Sequence, residues 1–171
     1  MTSAVEALED ALGAEIPPNA HLVRSLMLAL ENTYSHAAHL YVLFGPDLVN
    51  KKYSAHPAYQ ELVKRFAALA GSSYIQAVLA KRLLNEAYAI FGGQFPHSNA
   101  FVPGGVTCTP NVGDIAKVFG IWVEVKDLVE QMVLGCSAER WLENKSLADV
   151  QKWLEEDELH ANSDLGVFIK I

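Results

Sequence analysis

Residues 91–110 read FGGQFPHSNAFVPGGVTCTP and lie between long apolar segments with helical spacing. The stretch contains two Gly-Gly pairs and three prolines. Glycine permits positive φ angles, and proline fixes its own φ and lacks a backbone donor, so a helix is not expected to continue through these residues. A connection this long and this constrained is usually functional rather than a simple linker. We therefore expect helical scaffolding on both sides of one functional loop.

The composition limits the classes of protein to which the chain can belong. Its 171 residues are sufficient for one domain with a hydrophobic core, and a net charge of −7 argues against nucleic-acid binding. The chain is 51% hydrophobic and 19% charged, yet no uninterrupted apolar run reaches about eighteen residues. The N-terminus carries Glu6, Glu9 and Asp10 and is unlike a signal peptide. The apolar excess is expected to lie in a core or on a partner surface.

The residue pattern before the loop predicts four helices. A short first helix ends near Gly13, and Pro17-Pro18 forms an extended elbow before a helix from residue 20 to about residue 44. Apolar residues cover nearly every direction around this second helix, which predicts a central rod that is buried on all sides. Helical spacing of apolar residues predicts two more helices before the loop begins.

The segment after the loop predicts further helices and a terminal strand. Thr109 is expected to cap a helix that starts at Pro110 and runs to about residue 134, and Ser146 to cap a last helix, LADVQKWLEE. Residues 165–171, LGVFIKI, are apolar and rich in β-branched side chains, which predicts a strand. The chain supplies no evident partner for that strand, so we expect it to be part of a larger protein.

Three histidines are the first candidates for chemistry. His36 and His39 are three residues apart and point to one side of a helix, a spacing that can hold a metal if a further ligand is present. Packed, hydrogen-bonded histidines are the favoured alternative. His97 lies on the constrained loop, and functional and structural interpretations of it both remain open.

The cysteines and the second Gly-Gly pair suggest little chemistry. Cys108 and Cys136 have no CxxC spacing and are expected to be buried free thiols in a reducing compartment. Gly104-Gly105 lacks the surrounding glycines or lysine of a nucleotide-binding loop. A nucleophile and a nucleotide site are therefore not expected.

Several motifs together resemble one protein family. GGQFPHSNAFVPGGVTC resembles the Gly-Gly-x-x-Pro-His … Pro-Gly-Gly-Val-Thr-Cys signature of nickel–iron hydrogenase large subunits. ALGAEIPPNAHLVRSLMLALE is similar to the family segment that contains Ile-Pro-Pro-Asn-Ala and the helix after it. TYSHAAHLY resembles the family's His-Asp-His-x-x-His-Phe-Tyr pattern, with Tyr34 in place of the first His. LGCSAER, residues 134–140, is similar to the cytoplasmic uptake and sensory-type branch. The resemblance covers essentially the whole chain.

The resemblance implies a fold. It implies a mainly α fragment of the hydrogenase large-subunit fold: a long-helix bundle with a Gly/Pro-rich central loop and a short C-terminal strand. Residues 1–171 would form the central helical domain. Its expected parts are an entry helix and Pro-Pro elbow (1–17), helices (18–91), a signature loop (92–109), helices (110–158) and a strand (165–171).

The chain departs from the family in its cysteines. In the family, thiolates of CxxC pairs near both ends of a longer subunit hold nickel and iron, and this sequence has no CxxC. We therefore expect no catalytic, cofactor-binding or metal-ligating residue here and no activity of the chain alone. The full-length subunit would carry the Ni–Fe centre.

The resemblance also implies a reaction and partners. The full-length protein would be an uptake hydrogenase, an oxidoreductase that converts H2 to protons and electrons and passes the electrons to an iron–sulfur small subunit. His97 matches a loop histidine at the boundary with that subunit. We expect six residues to surround the metal centre or contact the small subunit without binding metal: His97, Pro103, Gly104, Gly105, His36 and His39.

The remaining expectations concern context. The partners would be the small subunit and the missing parts of the large subunit, and the isolated chain is expected to self-associate. A cytoplasmic location is expected, with membrane association only through partners. One alternative is a stand-alone helical interaction or assembly protein derived from the same fold. A weaker alternative is a small metal-binding bundle that uses His36 and His39.

Overall fold

The computed structural model describes residues 2–171, in which helices predominate. The α-helices are α1 (Thr2–Leu12), α2 (Pro18–Ala37), α3 (Gly45–Asp47), α4 (Tyr59–Phe66), α5 (Ser72–Gly92), α6 (Val112–Leu128), α7 (Ala138–Leu142), α8 (Leu147–Glu156), α9 (Glu158–Asn162) and α10 (Asp164–Ile169). π-Helical segments, Ala38–Phe44 and Val129–Leu134, continue α2 and α6, and Lys51–Tyr53 form a 3-10 turn. Two short strands, β1 (Phe101–Val102) and β2 (Gly105–Val106), form an antiparallel pair inside the loop. The predicted mainly α fold is confirmed.

The chain divides into two compact units. The loop unit contains residues up to 40 and residues 81–121, and the C-terminal unit contains residues 41–80 and 122–171. Helices α2, α5 and α6 supply most of the loop unit's core, whose buried apolar residues are Ala20, Met27, Leu30, Leu84, Ala87, Tyr88, Phe91, Ala100, Val118 and Ile121. The core of the C-terminal unit surrounds Trp153, which stacks on His160 at 5.2 Å between ring centroids.

The expectation that the second helix is buried on all sides is wrong for this structure. Its buried residues recur every three or four positions, so they form one stripe. Leu22 and Leu28 on other faces are 69% and 41% exposed. The helix is therefore a wall of the loop unit rather than a central rod.

The predicted strand at the C-terminus is also wrong, because Asp164–Ile169 form helix α10. The Ser163 side chain accepts a hydrogen bond from Gly166 N at 3.0 Å, which caps the helix. Asp164, in its first turn, is 1% exposed and is bound by side chains of other elements. Capping and these tertiary contacts outweigh the β-propensity of Val167 and Ile169.

Helix caps follow local chemistry at two further sites. Ser146 accepts a hydrogen bond from Asp149 N and precedes α8, as predicted. The cap predicted at Thr109 is wrong, since Asn111 Oδ1 accepts from Asp114 N at 3.0 Å and Asp114 Oδ2 accepts from Asn111 N at 3.2 Å. This reciprocal pair satisfies two backbone donors and starts α6 at Val112.

Candidate functional site

The first half of the loop folds back on the end of α5. Buried Ser98 donates from Oγ to Gly92 O and accepts from Ala100 N, both at 3.0 Å, and Gln94 Nε2 donates to His97 O. A Cβ on Gly92 would lie 2.9 Å from Ser98 Oγ and from Met27 Cε, so this close approach requires glycine. The Ser98–Gly92 hydrogen bond therefore joins the two ends of the segment, and residues 93–97 project from it.

Aromatic rings support the same half of the loop. Phe95 lies 4.8 Å from the Tyr34 ring and 5.1 Å from the Tyr88 ring, centroid to centroid. Lys81 Nζ lies over the Tyr34 ring, 4.6 Å from its centroid, and forms a favourable cation–π contact with it. Burial raises the pKa of Tyr88. Phe95 thus anchors the projecting segment on α2 and α5.

The second half of the loop is a tight hairpin. Phe101 pairs with Val106 and Val102 with Gly105, so Pro103 and Gly104 form the turn. Gly104 has a φ of +87°, a conformation that favours glycine. The Gly-Gly pair therefore serves the turn of a hairpin.

A buried ion pair holds this hairpin. Arg24 Nη1 donates to Glu9 Oε2 at 2.9 Å and Nη2 donates to Glu9 Oε1 at 2.6 Å. Arg24 Nη2 also donates to Val102 O at 2.9 Å and to Gly105 O at 2.7 Å, while Gly104 N donates to Glu9 Oε1 at 2.8 Å. The hydrogen bond from Arg24 lowers the pKa of Glu9, and the Gly104 N–H adds to this effect against the opposing effect of burial. Glu9 Oε1 and Arg24 Nη2 therefore both bond to the backbone of one turn.

Glu9 and Arg24 were not among the site residues predicted from the sequence. The available signal was Arg24 itself, which with Glu31 is one of two charged residues on a helix rich in apolar side chains. A charge at a buried position requires a partner, because burying it unpaired is costly. That partner is fifteen positions away in sequence, which no local spacing rule identifies.

The loop presents an uncharged surface. His97 and Pro103 are exposed, Gly104 is half-buried and Gly105 is buried. Residues 87–113 contain no Asp, Glu, Lys or Arg, although these make up 19% of the chain. Depletion of charge on an exposed, ordered surface is typical of the centre of a protein–protein interface.

The other two histidine candidates lie on the surface of the loop unit. His36 and His39 are exposed, and His39 Nδ1 donates to Ser35 O at 2.7 Å. Within residues 2–171, the structure brings together no group of three or more His, Cys, Asp and Glu side chains that could hold a metal. The donor residues described here therefore do not fit a nickel–iron centre, and its chemistry is not assigned to them.

The cysteines occupy separate environments. Cys108 and Cys136 are each half-buried rather than fully buried as expected. Burial raises the pKa of the Cys108 thiol, which disfavours the nucleophilic thiolate. Trp153 Nε1 donates to Cys136 Sγ at 3.3 Å, so this sulfur has a structural contact in the C-terminal unit.

Comparison with known proteins identifies the family. The model of the nickel-dependent hydrogenase family matches residues 1–52 and 47–154. The chain belongs to this family. Its relatives include the hydrogenase-1 large chain of Escherichia coli K12, 26% identical over 180 residues, covering 77% of this chain and 30% of the relative. The uptake hydrogenase large subunit of Azotobacter chroococcum is 29% identical over 167 residues, covering 69% and 28%.

A solved structure of the family agrees with the fold of this hydrogenase chain. The Ni-Fe-Se hydrogenase from D. vulgaris Hildenborough in the reduced state is 30% identical, with a TM-score of 0.56. The match covers 70% of this chain and 26% of that structure's chain. This chain thus spans about 30% of the length of the curated relatives that it matches.

The family comparison corrects the expected location. A relative from Desulfomicrobium baculatum, 27% identical over 142 residues and covering 75% of this chain, is a periplasmic [NiFeSe] hydrogenase large subunit. The predicted cytoplasmic location is therefore wrong, because the family gives it no support, and two free thiols do not by themselves establish a reducing compartment. Among the helices of residues 2–171, none is both long and apolar enough to cross a membrane.

Proposed function

We propose that residues 1–171 are the central helical domain of an uptake-type hydrogenase large subunit, and that residues 92–109 contact an iron–sulfur small subunit. The observation that carries the proposal is the loop's exposed, charge-free surface, which is supported from below by hydrogen bonds and aromatic contacts. The names of two relatives, uptake hydrogenase large subunits, support the uptake type.

In the full-length protein, H2 would be split into two protons and two electrons at a nickel–iron centre, and the electrons would pass to the small subunit. The ligands of that centre would lie in parts of the protein other than these residues. This chain would shape the surroundings of the centre and provide a docking surface. By itself it would oxidise no H2.

The candidate residues have distinct parts in this proposal. The exposed imidazole of His97 can donate and accept hydrogen bonds, which suits a group at a subunit boundary. Pro103 and Gly104 form the docking turn, and the buried Gly105 pairs with Val102 beside it. His36 and His39 would face neighbouring parts of the full subunit rather than a metal.

The proposal is tested by binding of the 171-residue chain to the cognate iron–sulfur small subunit, measured by biolayer interferometry. Asn99→Lys places a charge on the exposed loop and is expected to weaken binding at least about tenfold, since an unpaired charge in an interface core is costly. The control, Asp127→Lys, changes an exposed residue of the C-terminal unit and should leave binding unchanged.

Three results would contradict the proposal. Failure of the unaltered chain to bind the small subunit would favour the stand-alone interaction or assembly protein. Equal effects of the two lysine variants would remove the loop as the docking surface. Stoichiometric bound metal in the isolated chain, measured by elemental analysis, would instead support the small metal-binding bundle.

A further inference from the structure

The Pro103–Gly104 turn is held by side chains that are remote from it in sequence. Arg24 reaches Val102 O and Gly105 O, 78 and 81 positions away, and Glu9 reaches Gly104 N, 95 positions away. The two side chains also bind each other through both carboxylate oxygens. We propose that Glu9 and Arg24 are positioning residues that preform this turn for the small subunit, an inference that rests on the proposed function.

The orientation of Arg24 is directed at the turn. Its Nη2 serves three acceptors, whereas its buried Nε has no hydrogen-bond partner among the described residues. A buried N–H without a partner is costly. The Arg24 side chain is therefore not oriented so as to give each of its own N–H groups a hydrogen bond. The three hydrogen bonds of Nη2 account for the orientation of Arg24, because they connect the Glu9 carboxylate to both ends of the turn.

Other residues cannot replace this pair at the same geometry. The planar guanidinium presents several donors in a fixed fork, and a lysine ammonium at position 24 would lack that fork. The Glu9 carboxylate accepts from the guanidinium and from Gly104 N at once. Both residues are 4% exposed, so water does not compete strongly for these charge-assisted bonds.

A preformed turn affects binding rather than chemistry. A loop that is already ordered loses less conformational entropy when a partner binds it. The hairpin contributes only two residues to each strand, which is too short to be stable without outside contacts. Glu9 and Arg24 supply those contacts from α1 and α2.

The inference is tested by hydrogen–deuterium exchange of the Gly104 and Gly105 amides and by the dissociation constant for the cognate iron–sulfur small subunit. Glu9→Gln and Arg24→Lys each weaken the pair. Since a buried unpaired charge can unfold a domain, the double variant Glu9→Leu/Arg24→Met removes both charges and keeps apolar volume. The matched control is Glu86→Gln, which breaks the exposed Lys117–Glu86 ion pair of the same unit.

We expect the double variant to lose order in the turn and affinity for the small subunit, while the rest of the loop unit stays folded. In the double variant, exchange of the Gly104 amide should rise at least about tenfold, because this amide loses its hydrogen bond to the Glu9 carboxylate. The amides of α2 and α5 should keep their protection. The dissociation constant should rise by a similar factor, and Glu86→Gln should change neither quantity. Arg24→Lys should resemble the double variant in binding, since charge alone does not replace the fork.

The contradicting outcomes are distinct. If the unaltered chain binds the small subunit and the double variant binds equally well, the positioning role is wrong and the proposed function stands. If Gly104 exchange is unchanged in the double variant, the turn does not depend on the pair. If the unaltered chain does not bind the small subunit, the proposed function is wrong, and the docking role of the turn is wrong as well.

Discussion

Tyr41 Oη donates a 2.8 Å hydrogen bond to Asp164 Oδ2 across 123 positions of sequence, and both side chains are buried. Asp164 Oδ1 also accepts from Arg65 Nη1 at 2.9 Å and from Ser73 Oγ at 3.0 Å. Burial, together with the nearby Asp164 charge, raises the pKa of Tyr41, so the phenol stays a neutral donor. One carboxylate therefore ties α10 to α4, α5 and the first π-helical segment.

Asp164→Asn is expected to lower the free energy of unfolding of the C-terminal unit by about 2 kcal/mol. The amide keeps the volume but removes the charge that faces Arg65 and supplies a donor where three donors converge. Arg65 retains Glu61, which limits the loss. Urea denaturation followed by tryptophan fluorescence measures the change. Asp127→Asn, at an exposed site, should change stability by less than about 0.5 kcal/mol, and equal effects would contradict the role of Asp164.

Gly135→Ala is expected to destabilise the C-terminal unit by more than about 2 kcal/mol. Gly135 has a φ of +69°, and a Cβ there would lie 2.3 Å from Leu159 O, a backbone atom that cannot move aside cheaply. Thermal unfolding measures the effect. The same substitution at Gly120, in the middle of α6 with nothing within 4 Å, should raise stability by about 1 kcal/mol. Equal signs for the two variants would contradict this account.

Acid is expected to weaken the loop unit through Glu9. Arg24 holds the folded-state pKa of Glu9 below its ordinary value of 4.5, so the contribution of Glu9 is complete above that value. It is lost as the pH falls from about 4.5 through the lowered pKa. The midpoint difference between the unaltered chain and Glu9→Gln, measured by thermal unfolding, should therefore shrink as the pH falls.

Glu86→Gln is the control for the acid experiment. The exposed Lys117 lowers the pKa of Glu86 as well, but salt screens an exposed pair. High salt should remove the effect of Glu86→Gln and retain that of Glu9→Gln. A Glu9→Gln difference that is independent of pH would contradict the charge-based explanation.

His97→Ala in a full-length hydrogenase large subunit that carries this segment is expected to leave nickel content unchanged and to slow H2 oxidation about tenfold, the size of loss that follows removal of a group that supports a metal site without binding the metal. Metal analysis and an H2-oxidation assay with a dye acceptor measure the two quantities. His21→Ala, at an exposed site on α2, should affect neither. Loss of nickel in the His97 variant would contradict its assignment as a residue that binds no metal.

The isolated chain is expected to self-associate. Leu147, Val112 and Leu22 are 89%, 83% and 69% exposed, and burial of such side chains is favourable at about 25 cal/mol per Å². Sedimentation velocity over a rising concentration series should show dimers or larger species. Replacing the three residues with glutamine should shift the distribution toward monomer. A single monomeric species of the unaltered chain at the highest concentration would contradict the prediction.

Local features of the sequence predicted local structure well. The glycines and prolines of residues 91–110 end α5 and shape the loop, and Ser146 caps α8, because φ preferences and capping bonds involve only neighbouring residues. The motifs around the loop also identified the family. The cap at Thr109 failed because Asn111 and Asp114 offer a better reciprocal pair two residues later.

The sequence by itself therefore determined the helical class, the constrained loop and the family. The tertiary structure alone decided the partners of Glu9 and Arg24, the single buried stripe of α2 and the helical state of Asp164–Ile169. Burial of a charge and the orientation of a helix depend on groups far away in sequence, which periodicity and local propensity do not contain. The terminal segment is helical because Ser163 caps it and Asp164 is held by Tyr41, Arg65 and Ser73.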